Sequence, residues 1–299
     1  MFNDFQNRFR SADIVKKIVY ANVAVFVFFV LIGVFSALMN RQGLGGDIER
    51  FFELPASPVL LLQRPWTLVT YMFMHDGIMH ILWNMFALYV FGRIFLNFFS
   101  VRHFIGTYLL GGLFGALFYV VAYNVFPLFS DSVDYSFLVG ASASVLAIIT
   151  AAAVRCPDYR LNLLLFGSVR LSTLAIVSVL ISVLMLSGSN AGGNFAHLGG
   201  ALGGFLVAFF LGKGVDITEL VNHPIDWVVS LSKKRPRRKR KGKFTYAAGG
   251  KRSDDYEYNA RKKSDEAEVD RILEKIKKGG YASLTDDEKR RLFDASSRH

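Results

Sequence analysis

Cysteine is nearly absent: Cys156 stands alone in 299 residues. That excludes an intramolecular disulfide, and with it any disulfide-framed scaffold. Carboxylates are absent from the apolar stretches at 18–38, 78–98, 103–127, 135–154, 169–187 and 194–212. Their absence removes the third member of a Ser–His–Asp arrangement. It also removes the intramembrane acids that mark many ion and solute pathways. Internal repeats of the kind found in solute carriers are missing as well. No grouping of Cys, His and acidic residues reads as a metal or cofactor site.

Hydrophobic residues make up 52% of the chain and charged ones 20%, with a net charge of +11. These averages conceal two regions. Residues 18–212 are dominated by apolar segments, and residues 213–299 are polar and strongly charged. A soluble domain of this size alternates shorter apolar faces with polar ones. Several runs here reach the roughly 20 residues needed to cross about 30 Å of hydrocarbon. The chain therefore reads as an all-α polytopic membrane protein with a small cytosolic carboxy-terminal helical tail.

In order, residues 1–17 form a polar, cytosolic amino-terminal segment with Arg8, Arg10, Lys16 and Lys17. The apolar run that follows exceeds the 7–15 residues of a signal-peptide core, so an uncleaved first helix is expected. Residues 39–77 are too apolar for a free loop and too broken for a span. Partial immersion at the interface, with Trp66 at headgroup level, fits them. Six spans over 18–212 place both termini on one side. Lys and Arg in the amino terminus, the 99–102 turn, the 155–170 loop and the tail assign that side to the cytosol. Arg41, Arg50 and Arg64 in the long first connection are the contrary count. Uncleaved start and basic tail together suit a bacterial inner membrane.

The tail opens with Lys233-Lys234-Arg235-Pro236-Arg237-Arg238-Lys239-Arg240-Lys241. Such a run beside a last span points to anionic lipid headgroups rather than to nucleic acid. Residues 213–264 read as a basic linker and 265–299 as a small helical hairpin. Val269, Ile272, Leu273 and Ile276 form its first apolar face. Thr285-Asp286-Asp287-Glu288 is a capping-box signature for its second helix.

Three polar motifs interrupt the apolar runs: His80-Ile81-Leu82-Trp83-Asn84, Gly140-Ala141-Ser142-Ala143, and Ala196-His197 followed by Gly200 and Gly204. In the inferred topology all three lie in spans running from outside to inside. At about 1.5 Å per residue, His80 and His197 lie a few Å in and Ser142 roughly 10 Å. Taken singly, each has a structural role open to it. Ser142 suits tight helix packing, His80 an interfacial position, Asn84 an interhelical hydrogen bond, and His75 the approach to the second span. Taken together they suit chemistry. His80 and Asn84, four apart, share a helix face. Gly200 and Gly204 allow close helix approach, which would bring His197 to Ser142. A serine with an adjacent base is a sufficient nucleophile. Ser144, two residues on, faces away.

This combination resembles the rhomboid family of intramembrane serine proteases. The resemblance rests on His80-xxx-Asn84, Gly140-x-Ser142 and Ala196-His197-xx-Gly200-xxx-Gly204, with Trp66 and Tyr71-Met72-Phe73-Met74-His75 similar to the family's first loop. It implies a six-transmembrane-helix rhomboid-like bundle over about 18–212. Ser142 would be the nucleophile and His197 the general base. His80, Asn84 and the backbone N–H of Ser142 would be oxyanion donors, with Gly140, Gly200 and Gly204 at close packing positions and neither metal nor cofactor. Thr67, Ala143 and Leu146 depart from residues frequent in the family. Expected substrates are transmembrane proteins cleaved near the outer ends of their helices. The 187–193 link and the fifth span are candidate gating elements. The competing readings are a catalytically inactive rhomboid-like binder of transmembrane helices and a small-solute transporter.

Overall fold

The computed structural model describes residues 13–41, 43–163 and 167–232, and further on 271–272, 274–277, 279–280 and 284–290. Two compact units separate at Lys233, and each is treated by itself. The first is mostly helical. Helix α1 spans Ile14–Leu38, and Asp13 caps it by accepting from the Lys16 N–H at 2.9 Å. Three short helices follow, α2 at Leu44–Arg50, α3 at Pro58–Gln63 and α4 at Thr67–Thr70. The long helices α5, Ile78–Phe95, and α6, Val101–Val125, come next. Then follow α7 at Ser142–Arg155, α8 at Leu171–Leu184 and α9 at Ala191–Gly212.

Of these, α1, α5, α6 and α9 are long and apolar enough to cross a membrane. Helices α7 and α8 are apolar but have 14 residues each, a rise of about 21 Å. The expected helix over 135–154 is cut short at its start by a long-range strand pair and a glycine turn. Strand β1, Leu54–Pro55, pairs antiparallel with β2, Phe137–Leu138, in register Leu54–Leu138 and Pro55–Phe137. Gly140 then takes φ +122°, a conformation that L side chains rarely adopt and that no helix continues through. The 155–170 loop also holds a hairpin of β3, Arg160–Leu163, and β4, Gly167–Arg170. The fold is thus helical with two small sheets rather than purely α.

Helix α9 sits at the centre, against α6, α7 and α8, while α5 packs on α7 and α1 on α5. Its packing needs glycine. A Cβ on Gly200 would lie 2.1 Å from the Ala143 carbonyl oxygen, and one on Gly204 would lie 2.1 Å from that of Ala147. Helix α7 answers with small residues, Ala143, Ala147 and Ala151, all buried. The outward faces of α1 and α8 remain apolar, with Phe28, Leu31, Phe35, Ile176, Leu180 and Leu184 exposed.

Part of the stretch expected to be basic linker, 213–264, is helical. Residues Glu219–Ser232 form a further helix, α10, with Pro224 inside it. Ion pairs hold it to the start of α6. Arg102 donates to Glu219 at 2.6 Å and to Asp226 at 2.7 Å, and His103 lies 3.1 Å from Asp216. The run 233–241 and the rest of the linker lie outside the described residues. In the second unit, residues 286–290 are helical. The capping box is present, with the Thr285 N–H donating to Glu288 at 2.8 Å and the Glu288 N–H to Thr285 Oγ1 at 3.4 Å. The apolar face expected from Val269 begins outside the described residues.

Candidate active site

Ser142 is the first residue of α7, and no side chain caps that helix. Its backbone N–H therefore belongs to the first-turn donors that lack an intrahelical acceptor, at the positive end of the helix dipole. The loop before it is held in place by the Gly140 N–H donating to the Tyr71 carbonyl at 2.9 Å and by the β1–β2 pair. The Tyr71 turn is fixed in its own right. The Tyr71 hydroxyl donates to the Gly112 carbonyl at 2.7 Å, and the Tyr108 hydroxyl to the Met72 carbonyl at 3.0 Å. Helix α6 thereby positions a loop that in turn positions the serine.

His197, on α9, points its Nε2 at the Ser142 Oγ across 2.8 Å. The two residues are 55 apart in sequence and meet because Gly200 lets α9 lie against the α7 backbone. His80, on α5, brings its Nε2 to the same loop: a Cβ on Gly140 would lie 2.8 Å from that nitrogen and 3.7 Å from the Ser142 Oγ. Gly140 therefore keeps the loop open beside His80 and takes no part in helix-on-helix packing. Asn84, one turn below His80 and buried, gives one amide hydrogen to the His80 carbonyl at 3.0 Å. An amide nitrogen has two hydrogens, and Asn84 lines the cavity that the others share. That cavity, about 830 Å³, is walled by Ser142, His80, Asn84 and His197 together with Ile181 of α8 and Met185 just after it.

Several residues behave in ways that spacing alone did not disclose. Asp76 lies in the approach to α5, and its carboxylate oxygen meets the His80 Nδ1 at 2.5 Å. It sits outside the apolar run, which is why a search for acids within the runs passes over it. Ser182, on α8, lies 3.2 Å from the His197 Nδ1. Its signal in the sequence is the pair Ser178 and Ser182, one turn apart in an otherwise apolar helix. Asn194 donates to the Met185 carbonyl at 2.9 Å and ties the start of α9 to the end of α8. Ser144 is buried with an unpartnered hydroxyl, away from the cavity. Leu146, one turn on from Ser142, forms cavity wall. Thr67 is buried and donates to the Arg64 carbonyl at 2.7 Å within the first loop, where Trp66 donates to the Phe51 carbonyl at 2.9 Å.

A second, smaller cavity of about 120 Å³ lies beside the loop, lined by Glu49, Glu53, His75 and Asp76 with Phe26 and Phe29 of α1. Burial, with Glu49 and Asp76 nearby, pushes the Glu53 carboxyl up to about 7. Burial and the neighbouring His80 hold His75 down to about 4. The His75 ring stands edge-on to His80, with centroids 5.0 Å apart, and so braces that ring. Among the described residues no group of three or more His, Cys, Asp or Glu is placed to hold a metal ion.

Comparison with known proteins gives matches to two family profiles and to several curated proteins. The profile of the Rhomboid domain matches residues 62–214. A family of unknown function, DUF6576, matches residues 253–298. The chain is 31% identical over 185 residues to RHOMBOID-like protein 6, mitochondrial, of Arabidopsis thaliana, covering 59% of this chain and 54% of that protein. It is 29% identical over 218 residues to RHOMBOID-like protein 12, mitochondrial, of the same plant, covering 67% and 61%. It is 26% identical over 182 residues to Presenilin-associated rhomboid-like protein A, mitochondrial, of Danio rerio, covering 60% and 44%. The chain thus spans less than two thirds of the length of each.

Proposed function

The chain belongs to the rhomboid family, and we propose that this integral membrane protein is an intramembrane serine endopeptidase that hydrolyses peptide bonds in or near the transmembrane helices of other membrane proteins. The single observation that carries this reading is the 2.8 Å contact between the Ser142 Oγ and the His197 Nε2. In the proposed mechanism the Ser142 hydroxyl gives its proton to His197 as its oxygen bonds to the scissile carbonyl carbon. The carbonyl oxygen gains negative charge, the C–N bond breaks as His197 returns the proton to the leaving amine, and a water deprotonated by His197 then releases the acyl group from Ser142. Donors preorganised for that charge are worth about 3 kcal/mol each. The Ser142 N–H, the Asn84 amide and the His80 Nε2 supply them. A helical carbonyl is paired and shielded, so substrates should carry small or helix-breaking residues near the cleaved bond.

On this reading α7 and α8 complete six spans, and both termini lie in the cytosol with the basic tail against anionic lipid. The mitochondrial names of the relatives lend no support to a bacterial inner membrane, and the proposal extends to an integral membrane without choosing among them.

The test is cleavage of a fluorescently labelled transmembrane substrate by the purified chain. Ser142→Ala and His197→Ala should each lower kcat by more than about 10³-fold at an unchanged melting temperature, while Ser144→Ala stays active. A wild-type chain that binds the substrate without cutting it would make the protein a rhomboid-like binder instead.

A further inference from the structure

Helix α8 is apolar apart from Ser172, Thr173, Ser178 and Ser182. The last two form a ladder. The Ser178 hydroxyl donates to the Leu174 carbonyl at 2.8 Å, and the Ser182 hydroxyl donates to the Ser178 carbonyl at 3.0 Å. Such bonds back to the preceding turn are how a helix satisfies a buried hydroxyl. Ser182 is 2% exposed, yet its oxygen has a second neighbour, the His197 Nδ1 at 3.2 Å.

The polarity of that contact follows from counting hydrogens. A carbonyl oxygen only accepts, so the one hydrogen of the Ser182 hydroxyl goes to Ser178. The Ser182 oxygen is left with lone pairs, and the His197 Nδ1 must be the donor. A neutral imidazole has one N–H. With that hydrogen on Nδ1, Nε2 is a bare lone pair, 2.8 Å from the Ser142 Oγ, and the Ser142 hydroxyl is the donor across that gap. The order is Ser142 O–H to Nε2, Nδ1–H to the Ser182 oxygen, Ser182 O–H to the Ser178 carbonyl. The opposite tautomer would place a hydrogen on Nε2 and leave the ring unable to take the serine's proton.

We propose that Ser182 is a positioning residue for His197: it accepts the Nδ1 hydrogen and thereby keeps the Nε2 lone pair on the nucleophile. Its kinetic consequence rests on the endopeptidase reading, whereas the tautomer rests on these contacts alone. Three helices share the device, with Ser142 on α7, His197 on α9 and Ser182 on α8. Because α8 also walls the cavity through Ser178 and Ile181, an outward movement of α8 withdraws the acceptor from Nδ1. Base orientation is thereby coupled to the position of the helix that borders the cavity.

The experiment uses the full chain in detergent micelles with ¹⁵N-labelled imidazoles, the His197 signals being identified by their loss in His197→Gln. Wild type should show the single Nδ1–H tautomer. Ser182→Ala should show a mixture of tautomers, with kcat on a labelled transmembrane substrate about tenfold lower, the size of one buried hydrogen bond. Ser182→Thr, which keeps the hydroxyl, should restore both. If Ser182→Ala melts at a lower temperature, Ser182→Cys, of similar volume but a weak acceptor, decides in its place. Retention of the wild-type tautomer in the folded Ala or Cys variant overturns the proposal, even with a lower kcat, because the loss would then come from packing. A wild-type chain without turnover would fail the endopeptidase reading, and the nitrogen shifts would still decide the tautomer.

Discussion

His80 shows how one carboxylate changes what a residue can do. With its Nδ1 at 2.5 Å from Asp76, the ring gives that hydrogen to the carboxylate. Nε2 is the nitrogen left facing Gly140. On the endopeptidase reading, Asp76 is the group that orients His80 toward the developing oxyanion. The Asp76 side chain is 72% exposed, so the effect should be modest. Asp76→Asn, whose amide oxygen accepts the same bond without the charge, should lower kcat about threefold at unchanged KM, the range of an exposed pair. Single-substrate kinetics on the two proteins measure it. An unchanged kcat would remove Asp76 from the oxyanion side.

At the scale of elements, the contact between α7 and α9 decides whether a site exists. Gly200, one turn after His197, brings α9 onto the α7 backbone at Ala143, the residue next to Ser142, and a methyl there would lie 2.1 Å from the Ala143 carbonyl oxygen. Backbone cannot yield as a flexible side chain does, so the helices must separate. Gly200→Ala should cost about 1–3 kcal/mol or more, as overpacking does, and should lower kcat in the fraction that stays folded, since it lengthens the Ser142–His197 gap. Melting temperature and turnover on one preparation check both effects. A normal melting temperature with full activity would mean the helices part without cost. Gly212, with nothing within 4 Å of its would-be Cβ, is the control position.

At the scale of the whole molecule, Glu53 links stability to pH. Its folded-state carboxyl lies at about 7 rather than near 4.5, chiefly through burial. Between those values the folded chain binds more protons than the unfolded one. This group's contribution is therefore lost as pH rises from about 4.5 through 7. Glu53→Gln removes the ionisation, and its melting temperature relative to wild type should be higher at pH 8 than at pH 5. His75, held down to about 4, acts in the opposite sense, as pH falls below about 6.5, but it is present in both proteins and drops out of the difference. An equal gain at both pH values would show that Glu53 ionises freely in the folded state.

What the sequence by itself determined is what composition and short-range spacing encode. Apolar length marked the long helices α1, α5, α6 and α9 to within a few residues. The helical period put His80 and Asn84 on one face. The Thr285–Glu288 capping box, a contact over three residues, was legible for the same reason. The meeting of Ser142 with His197 was readable as an expectation, because Gly200 and Gly204 announce a close approach without saying to what. Only the tertiary structure decided the partner, which is the α7 backbone at Ala143 and Ala147. It also decided that α7 starts at Ser142, since the β1–β2 pair joins residues more than eighty apart and Gly140 turns the chain out of helix. The same holds for α10, which lies within the stretch read as basic linker: Arg102 pairs with Glu219 and Asp226 across more than a hundred residues. The sequence did not show that Asp76 and Ser182 each stand against a histidine, at 2.5 Å from His80 and 3.2 Å from His197. A side chain's second neighbour is a matter of distance between helices, and no local pattern carries that distance.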